Sequence, residues 1–201
     1  EITPFIQPTW LERLDEFDKY FLSDFDIDFL KHRVMTNMLV RGKPPFIDGL
    51  LQFLKKCYDE RELKSYLREN TVGTPDITNL RYLTSSTSIT HLYHLALFES
   101  KTGVNLKHLS TVIEFGGGYG NMAKIFKRIN PDATYIIIDL PVFTFLQYVY
   151  LATIMGNRIR LIEDKSDIVS EGCINLIPLQ LIDNLSGQKT QLWLRTSEKD
   201  N

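Results

Sequence analysis

The stretch Val112-Ile113-Glu114-Phe115-Gly116-Gly117-Gly118-Tyr119-Gly120 constrains this chain more than any other. An apolar run passes through an acid into glycines at alternate positions, and an amphipathic segment follows. Glycine tolerates positive φ and carries no Cβ, so the backbone turns tightly and a ligand can lie directly against it. A helix beginning there points its first free amides at that ligand. Asn121 to Ile129 reads as that helix, with Met122, Ile125, Phe126 and Ile129 on one face and Lys124, Lys127 and Arg128 mostly on the other. The basic stretch Lys124 to Arg128 is accordingly expected to be the solvated side of the helix.

Downstream, Ala133-Thr134-Tyr135-Ile136-Ile137-Ile138-Asp139 is a β-branched run typical of a buried parallel strand, and it ends in an acid. Asp139 lies about twenty residues past the glycine turn, the separation at which a βαβ unit sets a carboxylate beside the ribose of a bound nucleoside. Asp139 also suits a helix N-cap, since Pro141 fits a first helical turn, and the two roles are compatible. The helix from Pro141 to about Met155 is apolar nearly all round and is expected to be largely buried, with Gly156 as its C-terminal cap. Strand, turn, helix, strand and helix in this order predict a right-handed crossover and a parallel sheet, with ligand bound beyond the carboxyl ends of the strands.

Two nucleotide-binding patterns compete for the turn. A dinucleotide fingerprint, Gly-x-Gly-x-x-Gly or Ala, fails when read from Gly116, because its third position falls on Asn121. The pattern acid-x-Gly-x-Gly-x-Gly is matched in full by Glu114, Gly116, Gly118 and Gly120. This resembles motif I of the class I S-adenosylmethionine (SAM) methyltransferases. The string VIEFGGGYGNMAKIFKRINPDATYIIIDLPVFTFLQYVYL, with its Asp-Leu-Pro after the second strand, is similar to a family of sugar O-methyltransferases within that class, and Val72-Gly73-Thr74-Pro75 resembles an element upstream of the fold in the same family. The resemblance covers 72–151. It implies an α/β, Rossmann-like parallel sheet with helices on both faces, SAM as methyl donor with S-adenosylhomocysteine as product, and a sugar or glycoside hydroxyl as acceptor. Carried over residue by residue, the SAM site comprises Glu114, Gly116, Gly117, Gly118, Gly120 and Asp139, with Leu140 at the adenine or ribose. Asn121 stands where the family often has a further glycine.

The region before the turn has a different texture. Thr9-Trp10-Leu11-Glu12 is a capping box, and Trp10, Leu14, Phe17 and Phe21 recur at helical spacing, predicting a helix over about Trp10 to Leu22. A second helix is expected over Phe25 to Leu39, and a third from about Ile47 toward Glu69. Thr71 to Pro75 reads as a turn. The expected domains are an N-terminal helical region, 1–75, and a Rossmann-like SAM-binding domain, 76–201, incomplete at its C-terminus. The aromatics Trp10, Phe17, Tyr20, Phe21, Phe25 and Phe29 suit core packing better than a sugar-stacking platform, because they fall at helical spacing.

Ser88 to Phe98 predicts a helix just upstream of the first strand. His91 and His94 share one of its faces and are candidates for the base that takes a proton from an acceptor hydroxyl, since imidazole titrates nearest neutral pH. Packing at the edge of the helix is the plainer alternative. The pair has no identifiable third ligand for a metal, and no metal site is expected.

A 43% hydrophobic share and a formal net charge of −2 describe a globular chain without a phosphate-tracking basic face. Nucleic acid is therefore a poor candidate substrate, and a small-molecule or glycan acceptor is expected. Cys57 and Cys173 suggest no disulfide framework. With no apolar run long enough to span a bilayer and no signal peptide, a cytoplasmic location is expected. Asn184-Leu185-Ser186 is a coincidental sequon in such a chain. The first residue is Glu1 rather than Met, which suggests a fragment of a longer chain.

Toward the C-terminus, Arg158 to Ile162, Cys173 to Leu179 and Gln191 to Arg195 are strand candidates, the second favoured as the third strand of the sheet and the third as its fourth. Pro178 would have to lie at a strand's end. Residues near Gln180 would then face the adenine, with Thr196, Ser197 and Glu198 near the acceptor. The final strands of a complete sheet are expected to be missing. Two other functions stay open: a nicotinamide-dependent oxidoreductase, disfavoured by Asn121, and a non-catalytic domain of the same fold within a glycan-assembly protein.

Overall fold

The computed structural model describes residues 8–23 and 25–182, with side chains from residue 14 onward apart from Leu22. The chain is α/β. Helix α1 (Pro8–Ser23) leads into α2 (Arg33–Thr36), α3 (Ile47–Cys57), α4 (Glu60–Leu67) and α5 (Ser86–Thr102), and then come β1 (Thr111–Phe115), α6 (Asn121–Ile129), β2 (Thr134–Asp139), α7 (Pro141–Met155), β3 (Ile159–Leu161) and β4 (Ile174–Pro178). Two compact units emerge, neither continuous in sequence. The sheet unit gathers 8–23, 109–123 and 131–182, and the helical unit gathers 25–108 and 124–130.

In the sheet unit the four strands are all parallel, in the order β1-β2-β4-β3. This agrees with the coarse architecture expected of a Rossmann-like chain. Every residue of β2 is buried, which explains its unbroken β-branched and aromatic run: a parallel strand flanked on both edges has no polar face to expose. Cys173 to Leu179 supplies β4, which does take third place, beside β2, and Pro178 ends it where a missing N–H costs no interior ladder bond. Arg158 to Ile162 also supplies a strand, β3, at the edge beyond β4. Gln191 to Arg195, the candidate fourth strand, lies outside the described residues, as do Thr196, Ser197 and Glu198.

Pro141 opens α7 and Gly156 closes it at φ 61, donating its N–H to the Ala152 carbonyl. Only part of the helix is buried. Phe143, Leu146, Tyr150 and Leu151 pack inward, as expected of a largely buried helix, whereas Phe145 and Tyr148 remain 46% and 40% exposed. Helix α1 supplies Phe17 against Phe143, ring centroids 4.7 Å apart, and Phe17, Tyr20 and Phe21 are all buried, as core packing requires. The opposite face of the sheet joins Ile136, Ile138, Ile162 and Ile177, packed by Ile113, Val169, Leu179 and Leu181.

In the helical unit two expected helices are broken. Phe25 to Leu39 yields only a 3-10 turn, Phe29–Lys31, and α2, because His32 is extended (φ −62, ψ 140) and its Nδ1 accepts the Val34 N–H. The segment from Ile47 toward Glu69 divides at Tyr58. There Asp59 and Glu62 form a capping box, each side chain accepting the other's backbone N–H, which starts α4 afresh.

The solvated basic face of α6 is also overturned. Lys124 and Lys127 are buried, and the Lys124 ammonium donates to Glu69 Oε2 at 2.6 Å with both side chains almost wholly enclosed. Ser85 and Ser88, at the start of α5, donate to the other Glu69 oxygen. Arg128 is spent on the carbonyls of Tyr66 and Arg68. A carboxylate so placed turns an amphipathic-looking lysine inward, because an apolar partner would leave the acid uncompensated.

Candidate functional site

The glycine turn follows the carboxyl end of β1. The Gly116 N–H donates to the Ile138 carbonyl at 3.0 Å, which prolongs the ladder by one residue, and the Gly120 N–H closes the turn on the Gly117 carbonyl at 2.9 Å. Gly116, Gly118 and Gly120 have φ of 74, 58 and 88. The glycines divide into two kinds by what a Cβ would meet. At Gly117 it would come within 2.6 Å of Ile137 Cγ2, and at Gly120 within 2.7 Å of Leu151 Cδ1. At Gly116 and Gly118 it would meet nothing within 4 Å. Two glycines thus let the turn settle on the sheet and on α7, and the other two present bare backbone to open space.

Beneath the turn, three polar head groups converge. Asp139, at the end of β2, is buried. Its Oδ1 accepts the Leu140 N–H at 2.8 Å and its Oδ2 accepts Nε2 of Gln147 at 2.7 Å, and the nearby backbone amides of Gly118 and Gly117 also favour its charged form. Burial outweighs these donors and pushes the carboxyl up to about 6. Gln147, from α7, donates in addition to the Gly118 carbonyl at 2.9 Å. Its own carbonyl oxygen is fully enclosed and accepts no hydrogen bond from the described residues.

Glu114 accepts the Tyr135 hydroxyl at 3.0 Å. Burial, with a smaller push from the Asp139 charge, raises it to about 7, and burial beside this acid also carries the Tyr135 phenol well above its usual range. Neither Glu114 nor Asp139 touches a lysine, arginine or histidine among the described residues.

Of the residues named from the sequence, Glu114, Gly117, Gly118 and Asp139 therefore come together, with Gly116 opening the turn and Leu140 capping α7 through its extended backbone. Gly120 serves packing against Leu151. His91 and His94 lie on α5 in the helical unit. There His91 is half-buried, and burial, then the charges of His94 and Lys124, draws it down to about 4, while His94 is exposed. An imidazole so depressed is a weak proton acceptor at neutral pH.

Gln147 and Tyr135 escaped sequence reasoning. A lone amide in an otherwise apolar stretch of helix, eight residues past the acid, was the available signal for Gln147. Tyr135 alternates with Ile137 and Asp139 and so shares their face of β2.

No family model, curated protein or solved structure matches this chain. No helix among the described residues is long and apolar enough to cross a membrane, and no group of three or more His, Cys, Asp or Glu among them is arranged to hold a metal ion.

Proposed function

We propose that this chain is a SAM-dependent methyltransferase that moves a methyl group to a hydroxyl, with a sugar or glycoside as acceptor and the Rossmann-like methyltransferase fold as its frame. The observation that carries this reading is the pair Gly116 and Gly118, both at positive φ with open space where a side chain would stand, between the acids Glu114 and Asp139 at the ends of adjacent strands. A bare backbone at that place admits a nucleoside and an amino-acid tail, and the acid-x-Gly-x-Gly-x-Gly pattern selects SAM over a dinucleotide. The free thiols of Cys57 and Cys173 suit a cytoplasmic location.

When bound, the donor supplies a methyl group already activated on a sulfonium. The work left to the protein is to bind, align and exclude water, and alignment of this kind contributes roughly 7–11 kcal/mol of the barrier. Gly116 and Gly118 would receive the donor against their backbone. Asp139 would take the ribose hydroxyls by exchanging one of its turn amides for them, while Gln147 keeps its carboxylate in place. A base for the acceptor proton adds roughly 10²–10⁴ in rate.

Isothermal titration of the purified chain with SAM, S-adenosylhomocysteine and NAD in parallel tests the reading. Micromolar binding of the first two alone is the expected result. Binding of NAD alone would replace it with a nicotinamide-dependent oxidoreductase, and an intact donor site with no turnover on any glycan would leave a non-catalytic domain of the same fold.

A further inference from the structure

The chamber under the turn is rich in acceptors and poor in donors. Asp139 is buried and Glu114 half-buried; they lie within electrostatic reach of each other and touch no cationic side chain among the described residues. The third head group, Gln147, leaves a fully buried carbonyl oxygen without a donor among the described residues. A Cβ at Gly117 would stand 3.3 Å from Glu114 Oε2 and 3.4 Å from Gln147 Nε2, so the acid and the amide flank the same packed side of the turn, while Gly116 and Gly118 face open space. Two like charges drawn largely out of water disfavour being ionised together. The remaining groups in reach are Tyr135, a neutral hydroxyl donor, and backbone amides.

We propose that the Glu114–Asp139 pair holds one proton when the site is empty and gives it up to solvent when a positively charged ligand settles on the turn. The inference rests on the SAM reading and extends it: the cationic donor is drawn in as the proton leaves, and the neutral product, S-adenosylhomocysteine, loses that attraction and lets the proton return. No contact between ligand and Glu114 is required, because a charge above the turn acts through a poorly screened interior. Burial has already brought both acids to where they exchange protons near neutral pH.

The sign follows from linkage. A nearby cation lowers the acids' affinity for protons, so SAM binds more tightly as pH rises through the pair's titration, whereas S-adenosylhomocysteine stays nearly flat. A ligand-induced drop of about half to one pK unit would raise the preference for SAM over product about two- to sixfold between about pH 5.5 and about pH 7.5.

The experiment is calorimetric titration of the whole chain with each ligand, in two buffers of different ionisation enthalpy, repeated on Glu114→Gln and Asp139→Asn. Release of a fraction of a proton with SAM, none with the product, and loss of that difference in either folded variant is the expected result. Equal proton counts for the two ligands in the unaltered chain would overturn the inference and leave the donor site standing. Binding of neither ligand would remove the SAM reading and the inference with it.

Discussion

Gln147 and Asp139, on consecutive elements eight residues apart, are joined by a 2.7 Å hydrogen bond, and the same amide nitrogen reaches the Gly118 carbonyl at 2.9 Å. One side chain of α7 thereby ties the end of β2 to the glycine turn. Gln147→Leu keeps the volume and removes both bonds, leaving the buried Asp139 carboxylate with backbone donors only. Loss of a donor to a buried charged group is expected to lower stability by about 1–3 kcal/mol in urea denaturation. The same variant should bind SAM about tenfold more weakly, the equivalent of about 1.4 kcal/mol. Unchanged values on both counts would show that the turn holds its shape without Gln147.

The two kinds of glycine should respond differently to substitution. A methyl group at Gly117 would strike Ile137 at 2.6 Å, beneath the turn. Gly117→Ala is therefore expected to cost about 1–3 kcal/mol of stability through overpacking. At Gly118 a Cβ would meet nothing within 4 Å among the described residues, so Gly118→Val projects into the open side, at a φ of 58 that a β-branched residue adopts only under strain of about 1–3 kcal/mol. Its mark should be loss of SAM binding out of proportion to the change in melting temperature. A Gly118→Val protein with the normal dissociation constant would remove the ligand from this face of the turn.

What could be read from the sequence followed how local its physical cause was. The glycine turn, α6, β2 and α7 are fixed by neighbours within a few positions: glycines where φ is positive, a β-branched run where burial is two-sided, Pro141 and Gly156 at the ends of a helix. The breaks at His32 and Tyr58 came from side-chain caps that compete with continued helix, and the Asp59-x-x-Glu62 pattern behind the second was legible in the sequence. Lys124 and Gln147 were misjudged or missed for another reason. Their partners lie 55 and eight positions away, and only folding brings a buried carboxylate to an amine or an amide that would otherwise belong in water.

Lys124 and Glu69 offer a test of that kind of long-range pairing. Lys124→Met leaves the enclosed Glu69 without its cation and should cost about 3–5 kcal/mol, and adding Glu69→Gln should recover much of the loss, because a buried pair removed together is far less costly than one broken. Although burial pulls the Glu69 carboxyl upward, the Lys124 ammonium and hydrogen bonds from Lys124, Ser85 and Ser88 outweigh it and hold it below its ordinary 4.5. A depressed acid contributes stability that is fully present above its unfolded value and is lost as pH falls through its folded one. The stability deficit of Lys124→Met should therefore be largest above about pH 4.5 and shrink as pH falls, in urea denaturation series at fixed salt.

Glu114 carries the opposite sign. Its carboxyl is raised from 4.5 to about 7, so the folded state binds the proton more tightly than the unfolded chain does. Stability is then greatest below about pH 4.5 as far as this group is concerned, and it declines as pH rises toward about 7, by on the order of 3 kcal/mol if the acid titrates alone. Glu114→Gln removes the titration and retains a carbonyl to accept the Tyr135 hydroxyl. The variant should match or fall slightly below the unaltered chain near pH 4.5 and exceed it by about 2–3 kcal/mol at pH 8, in urea denaturation series at fixed salt. Parallel stability curves across that range would mean that Glu114 ionises in the folded chain as readily as in water. Any proton held by the acid pair under the turn would then reside on Asp139.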